Sequence, residues 1–529
     1  MCDTSLFLLP GCRIGRAERE RFLGTGIIHA VPAQQWGGGY QICMPFRRTK
    51  DNLELGTTGL FGLSRLRVAE SDRQTHTYVV GITGKGKSKL LEHILYQDIV
   101  SGRGCGVLDP HSDLVEDLLQ YLHSHPEKAL PHMDRIIYVD PSRRDHLVPF
   151  NVLASDNSPY ETAQNVVEAF RRTWPQALAE APRFANIVTA CVLTLIPNKL
   201  TLIDIPRVLT DAQYRELLLR KVDDPEVLAF WRERYEKWGR ETPVIIESVL
   251  NKVTAFTFNP QLRLILGADE NRLNFRQIMD EGKVLLVDLG RCDAETRRLV
   301  GSLIVIGLEQ GARSRKDARG NRRPFYFCID EFQDFCANDG AAQTLAQILS
   351  ECRKFGLHLT LAHQTLAQIN ERMKGALGNI QLKIVFGVSR QDAEILARHM
   401  FHVDGERIKH TVEDNEQQDR SHPVFYTLQE EWEKTIQGLQ NLLPRRAYVK
   451  RPGHQGAVML ETITIRQHHH EEGSIEKTKE WLASRNGVGV VMIKASINQR
   501  GEGAANTREQ KPMLRTRSIA TPKDNQVMG

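Results

Sequence analysis

Gly81, Gly86, Lys87 and Ser88 stand in the order Gly, four residues, Gly, Lys, Ser within this 529-residue chain. That spacing suits phosphate chemistry. Glycines let a backbone close around an anion, with successive N–H groups turned inward. A lysine after the second glycine reaches the outer phosphates of a nucleoside triphosphate, and a hydroxyl after the lysine ligates Mg2+. Gly81, Ile82, Thr83, Gly84, Lys85, Gly86, Lys87 and Ser88 are therefore the expected cradle of ATP, with Ser88 on the metal. Lys85 is extra to the pattern and reads first as a solvated side chain. A glycine-rich turn without a ligand is the alternative, and the flanks argue against it. Tyr78-Val79-Val80 is a short β-type run into the loop, and Lys89 to Leu95 leaves it with helical spacing of apolar residues.

Further along, the apolar run Phe325 to Ile329 closes on Asp330-Glu331. A strand ending in two acids supplies what the phosphate loop lacks. Asp330 would order the Mg2+ shell, usually through water, and Glu331 would orient and deprotonate the attacking water. Alone such a strand is common; downstream of a phosphate loop it is informative. The run Leu357 to His363 then delivers Gln364, whose amide can touch the γ-phosphate or the water; a strand-end cap is the alternative. Arg73 and His76, just before the loop, read as surface polar residues on a connector rather than nucleotide contacts.

These residues need strands to hold them, and the chain has the strands. Gly104 to Asp109, Arg135 to Asp140, Lys283 to Leu289, Phe325 to Ile329, Leu357 to His363 and Lys383 to Val388 alternate with helical segments. Alternation of this kind implies an α/β fold with a parallel, doubly wound sheet. Ser64 to Ala69 and Ala447 to Lys450 read as edge strands. The expected organisation is a lead-in (residues 1–65), a first part of the α/β core (66–159), an all-helical insertion (160–266), a second part of the core (267–465) and a basic, flexible tail (466–529). Trp174, Trp231 and Trp238 are the expected packing anchors of the insertion. The tail holds 11 Lys and Arg against 7 Asp and Glu, so most of the chain's net +5 sits there. His468-His469-His470 lacks partner ligands at metal-site spacing.

Composition narrows the class. With 41% hydrophobic and 26% charged residues the chain reads as soluble and globular. Nine cysteines without a C-x-x-C pair point to neither zinc nor a disulfide framework, and fit a reducing compartment. No apolar run reaches membrane-span length and the first ten residues do not form a signal peptide, so a cytoplasmic protein is expected.

Taken together, HTYVVGITGKGKS, VLDPHSDL, VDPSRRDHLVPFN, FYFCIDEFQDF, CRKFGLHLTLAHQTLAQI and GNIQLKIVFGVS make the chain resemble the FtsK/HerA superfamily of DNA-pumping ATPases. Within it, the resemblance is to conjugative coupling proteins of the TraD/TraG kind, from about Arg73 to Leu443. It implies a RecA-like P-loop NTPase core carrying an all-helical domain, with ATP and Mg2+ at the interfaces of a homo-hexameric ring. It also implies single- or double-stranded DNA in the central channel, with a relaxase and secretion-channel proteins as partners, and peripheral attachment at the inner membrane through them. In a ring, Arg353 can face the neighbour's nucleotide as an arginine finger; a guanidinium complementing a helix dipole is the alternative. Two features depart from the family. Membrane-spanning helices are missing, and Ser112 stands where relatives carry glycine in D-P-x-G-D. Binding to DNA should run mainly through phosphates. A nucleotide-gated docking adaptor that binds substrate proteins without pumping DNA is the competing function; a kinase or metabolic ATPase lacks an acceptor-site signature.

Overall fold

The computed structural model describes residues 52–59, 64–155, 157–174, 183–317, 322–336, 339–403, 405–413, 421–465 and 473–509. All of them belong to the unit Asp51–Gly529. The lead-in up to residue 51, the histidine triplet and residues 510–529 lie outside the described residues.

In chain order the strands are β1 (Leu53–Thr58), β2 (Ser64–Val68), β3 (Thr77–Val80), β4 (Gly104–Asp109), β5 (Ile136–Val139), β6 (His146–Leu147), β7 (Val284–Asp288), β8 (Phe325–Ile329), β9 (Leu357–His363), β10 (Leu382–Val385), β11 (Ile408–Glu413), β12 (Ser421–Phe425), β13 (Arg446–Lys450), β14 (Val458–Thr462) and β15 (Val488–Gly489). Eleven of them form one sheet in the order β2-β1-β14-β13-β10-β3-β9-β8-β4-β7-β5. From β10 to β5 every pairing is parallel; from β10 to β2 every pairing is antiparallel.

Strands β4, β7, β8 and β9 are buried end to end, which is why they read as unbroken apolar runs. Alternate residues feed opposite cores. Tyr78 and Val80 join the apolar cluster on one face, and Val79 joins the cluster on the other. The parallel order sends every strand's carboxyl end to one edge, where the loops after β3, β8 and β9 meet.

Three expectations need correction. Arg446–Lys450 is internal, flanked by β10 and β14, because a further strand pairs with it that the short Val458–Thr462 segment did not announce. The edge on that side is β2, as the reading of Ser64 to Ala69 expected. Leu53–Thr58, within the segment read as lead-in, pairs with β14 and β2 and belongs to this same sheet.

The tail is the largest departure. Ser474–Asn486 and Val490–Glu509 are helices, and β15 between them pairs with β6. Leu482 is wholly buried and Ala483 nearly so, while Lys479 Nζ meets Glu116 at 2.6 Å and Asp288 at 3.6 Å. Burying one leucine contributes about 2 kcal/mol. That gain and the paired lysine order a stretch whose polar composition suggested a flexible chain.

The described residues between β6 and β7 fold into helices, among them Pro159–Thr173, Phe184–Leu195 and Thr242–Phe258. Ser158 starts the first of these with a full capping box to Glu161 and Pro159 at the first position. Trp231 is the buried anchor, its Nε1 donating to Thr194 Oγ1 at 2.9 Å; Trp174 and Trp238 pack half-buried against the same cluster.

Candidate active site

The phosphate loop leaves β3 and enters the helix Lys87–Val100. Its start is pinned from both neighbours: Gly81 N donates to His363 O at 3.3 Å, and Ile82 N to Gly387 O at 2.9 Å. Gly84 (φ 79°) and Gly86 (φ 105°) take the left-handed backbone that glycine enters without penalty. A side chain at Gly81 would press on Phe386 at 2.5 Å, so the first glycine is needed for close packing. Lys85 is not free in solvent. Its Nζ donates to Leu442 O at 2.7 Å, and Arg445 N donates back to Lys85 O at 2.8 Å, so the loop at Leu442–Arg445 braces the phosphate loop.

Lys87, Asp330 and Glu331 come together as expected. Lys87 Nζ is 2.6 Å from Glu331 Oε1 and 3.9 Å from Asp330 Oδ1, and all three side chains are buried. Glu331 sits in left-handed backbone (φ 43°, ψ 50°), where the chain turns sharply off β8. Gln364 arrives from β9 and donates to Glu331 Oε1 at 3.0 Å, while Thr83 Oγ1 donates to Gln364 Oε1 at 3.1 Å. Residues 244 and 281 positions apart thus form one chain of contacts from phosphate loop to acid to amide. Gln333, unmarked in the sequence reading, also donates to Glu331, at 2.8 Å.

The two acids differ. Burial pushes the Asp330 carboxyl up to about 6, with Lys87 opposing and the charges of Glu331 and Asp109 adding to the rise. Burial acts on Glu331 in the same sense, but the Lys87 hydrogen bond and charge, with Gln364 and Gln333, outweigh it and hold that carboxyl low. A buried carboxylate 3.9 Å from the phosphate loop's lysine is of the hard-oxygen type that a divalent cation takes. Among the described residues no three His, Cys, Asp or Glu side chains converge on a metal position.

Two other residues sit where the sequence did not put them. Arg73 is buried, pairing with Asp98 at 2.6 Å and lying 3.8 Å over the Tyr326 ring. His76 is buried too, its Nδ1 accepting from Leu359 N at 2.9 Å. Neither is a surface residue, and neither meets the phosphate loop's acids. Arg353 is exposed at the start of β9, in an open groove with Thr75, Leu349 and Arg372. Gln364 is at the other end of that strand. Ser112 keeps the turn that glycine would make: its φ is 71°, and its Oγ donates to Asp288. Gly290 makes room, since any side chain there would overlap Ser112 and His111.

Residues 324–434 match the family described as the TraM recognition site of TraD and TraG. No curated protein sequence matches the chain. Among solved structures, the bacterial conjugative coupling protein TrwB in an unbound monoclinic form superposes with a TM-score of 0.54 at 18% identity, covering 78% of this chain and 90% of that one. Its trigonal form with sulphate gives 0.54 at 18%, over 82% and 98%. TrwB with ADP and Mg2+ gives 0.54 at 17%, over 78% and 91%.

This chain has the fold of the solved TrwB structures. The family match at 324–434 runs from β8 to beyond β12.

Proposed function

We propose that the protein is a Mg2+-dependent, ATP-hydrolysing DNA translocase that couples DNA to type IV secretion in conjugative transfer, working as a homo-hexameric ring. The observation that carries this is the Lys87–Glu331–Gln364 chain on the coupling-protein fold. Lys87 turns from Glu331 to the outer phosphates when ATP fills the loop. Glu331 is then released as a base, and burial without its lysine raises its proton affinity, which a general base near neutral pH needs. Gln364 aligns the water between Glu331 and the γ-phosphate. Ser88 and Asp330 would hold Mg2+, which neutralises charge on the β- and γ-oxygens.

TrwB has been captured with ADP and Mg2+ and with a non-hydrolysable ATP analogue, which supports the same ligands here. A TraM-recognition description for residues 324–434 supports docking to relaxosome proteins, and it is also the observation that favours a nucleotide-gated adaptor. Among the described residues no single helix is long and apolar enough to cross a membrane, so membrane attachment through partners is part of the proposal.

ATPase rate with and without single- and double-stranded DNA separates the two functions. A translocase shows turnover that DNA raises and that Lys87→Ala abolishes. Turnover indifferent to DNA, alongside tight binding of a partner protein, selects the adaptor.

A further inference from the structure

His363, the residue before Gln364, is wholly buried. Its carbonyl accepts from Gly81 N, the first amide of the phosphate loop, at 3.3 Å. Its Nε2 shares a 2.6 Å hydrogen bond with Tyr78 Oη on the strand that leads into that loop, and the two rings lie 5.4 Å apart. On the other side, the Phe332 ring is 4.9 Å away. Phe332 is itself wholly buried and directly follows Glu331, whose backbone is left-handed. A left-handed residue other than glycine is strained, so that turn holds its shape only while its neighbours fix it. One imidazole therefore touches the strand before the phosphate loop, the strand that carries Gln364 and the turn that carries Glu331.

We propose that His363 is a positioning residue for ATP hydrolysis, locking Gln364 and Glu331 into one register against the phosphate loop so that both meet the same water. The inference rests on the ATPase reading above. His363 makes no hydrogen bond to Lys87 or Glu331, so it acts through its neighbours rather than on the reacting atoms. A histidine buried for packing alone would give a different signature: its loss would lower stability and nucleotide affinity together. A positioning residue changes kcat at constant KM, because the bound ATP is unaffected and only the alignment in the transition state is lost.

The experiment measures kcat, KM, affinity for a fluorescent ATP analogue and thermal midpoint for wild type, Tyr78→Phe, His363→Phe and His363→Gln. Tyr78→Phe removes one oxygen and leaves the ring packing, so it keeps the proposal falsifiable if His363→Phe does not fold. Misplacement by about 1 Å costs on the order of 100-fold, so Tyr78→Phe and His363→Phe should lose about 10- to 100-fold in kcat with affinity and KM within about twofold. His363→Gln, which retains a group able to bond Tyr78 Oη, should recover part of that loss. Full kcat in folded Tyr78→Phe and His363→Phe overturns the inference, as does a fall in kcat matched by an equal fall in ATP affinity. A wild-type protein without ATP turnover overturns the ATPase reading, and this inference with it.

Discussion

The Lys87–Glu331 pair is the residue-scale feature on which the site turns. Each partner is 6% exposed or less, so each depends on the other's charge. Removing one member of a buried pair leaves an uncompensated charge and costs about 3–5 kcal/mol. Lys87→Ala should therefore lose stability as well as turnover, while Lys87→Ala combined with Glu331→Gln should regain most of that stability without regaining activity. Urea denaturation of the four proteins in this cycle checks it, and additive losses would show that the pair is not coupled. Asp330 carries a second prediction. Its folded-state pKa, raised from 3.8 to about 6, means that the native protein keeps a proton between those values that the unfolded chain has released. From this group, stability grows as pH falls from about 6 toward 4, and the ionised form above 6 is the costly one. Protons and Mg2+ compete for it. Mg2+-dependent nucleotide binding should weaken as pH falls through about 6, and Asp330→Asn should flatten that dependence. Equilibrium titration across pH measures both; an unchanged profile in Asp330→Asn would mean the dependence belongs to another group.

At the scale of elements, two connections at the carboxyl edge hold the sheet's far half together. Ser112 adopts glycine's backbone in the turn after β4, and its hydrogen bond to Asp288 on β7 offsets the strain. The left-handed cost is about 1–2 kcal/mol and a hydrogen bond to a charged group contributes about 1.5–3, so Ser112→Gly should be near neutral. Ser112→Ala keeps the strain and drops the bond, and should be less stable than Ser112→Gly by about 2 kcal/mol in chemical denaturation. Equal stabilities would show that the bond contributes nothing. The same Asp288 receives Tyr138 Oη at 2.9 Å and faces Lys479 from the C-terminal helix Ser474–Asn486. Lys479→Met should strand that carboxylate and lower stability by about 3 kcal/mol. Limited proteolysis should then cut within 474–509 before the core; protection equal to wild type would mean that Leu482 and its apolar neighbours suffice to dock the helix.

At the scale of the whole molecule, Arg353 is the residue that tests the proposed ring. It stands just before β9 and Gln364 just after it, with the seven residues of the strand between them. At about 3.3 Å per residue that is over 20 Å, beyond any arginine's reach, so Arg353 cannot serve its own chain's phosphate loop. In the proposed ring, its exposed groove at the amino edge is the place for a neighbour's nucleotide. Mixed rings of Arg353→Ala and Glu331→Gln subunits should regain turnover at interfaces that pair an intact arginine with an intact base. Arginine fingers contribute roughly 10³–10⁵ in rate, so even partial recovery is measurable. Mixed rings that form and stay inactive would refute the finger.

The sequence by itself determined the candidate site: phosphate loop, acid pair and amide, in order at the ends of parallel strands. These were legible because each motif is contiguous, and because strands buried on both faces must be unbroken apolar runs. What only the tertiary structure decided concerns partners distant along the chain. Arg73 and Lys479 look solvated until Asp98 and Asp288 are brought to them, since a charge is buried only where its counter-charge arrives. The antiparallel half of the sheet depends on β1 and β14 meeting across about 400 residues, and short strands of that kind carry little signal of their own. His363 reads as one more apolar-strand residue until Tyr78 and Phe332 close on its ring. Local pattern specifies which groups can react; burial and long-range pairing specify how they are held.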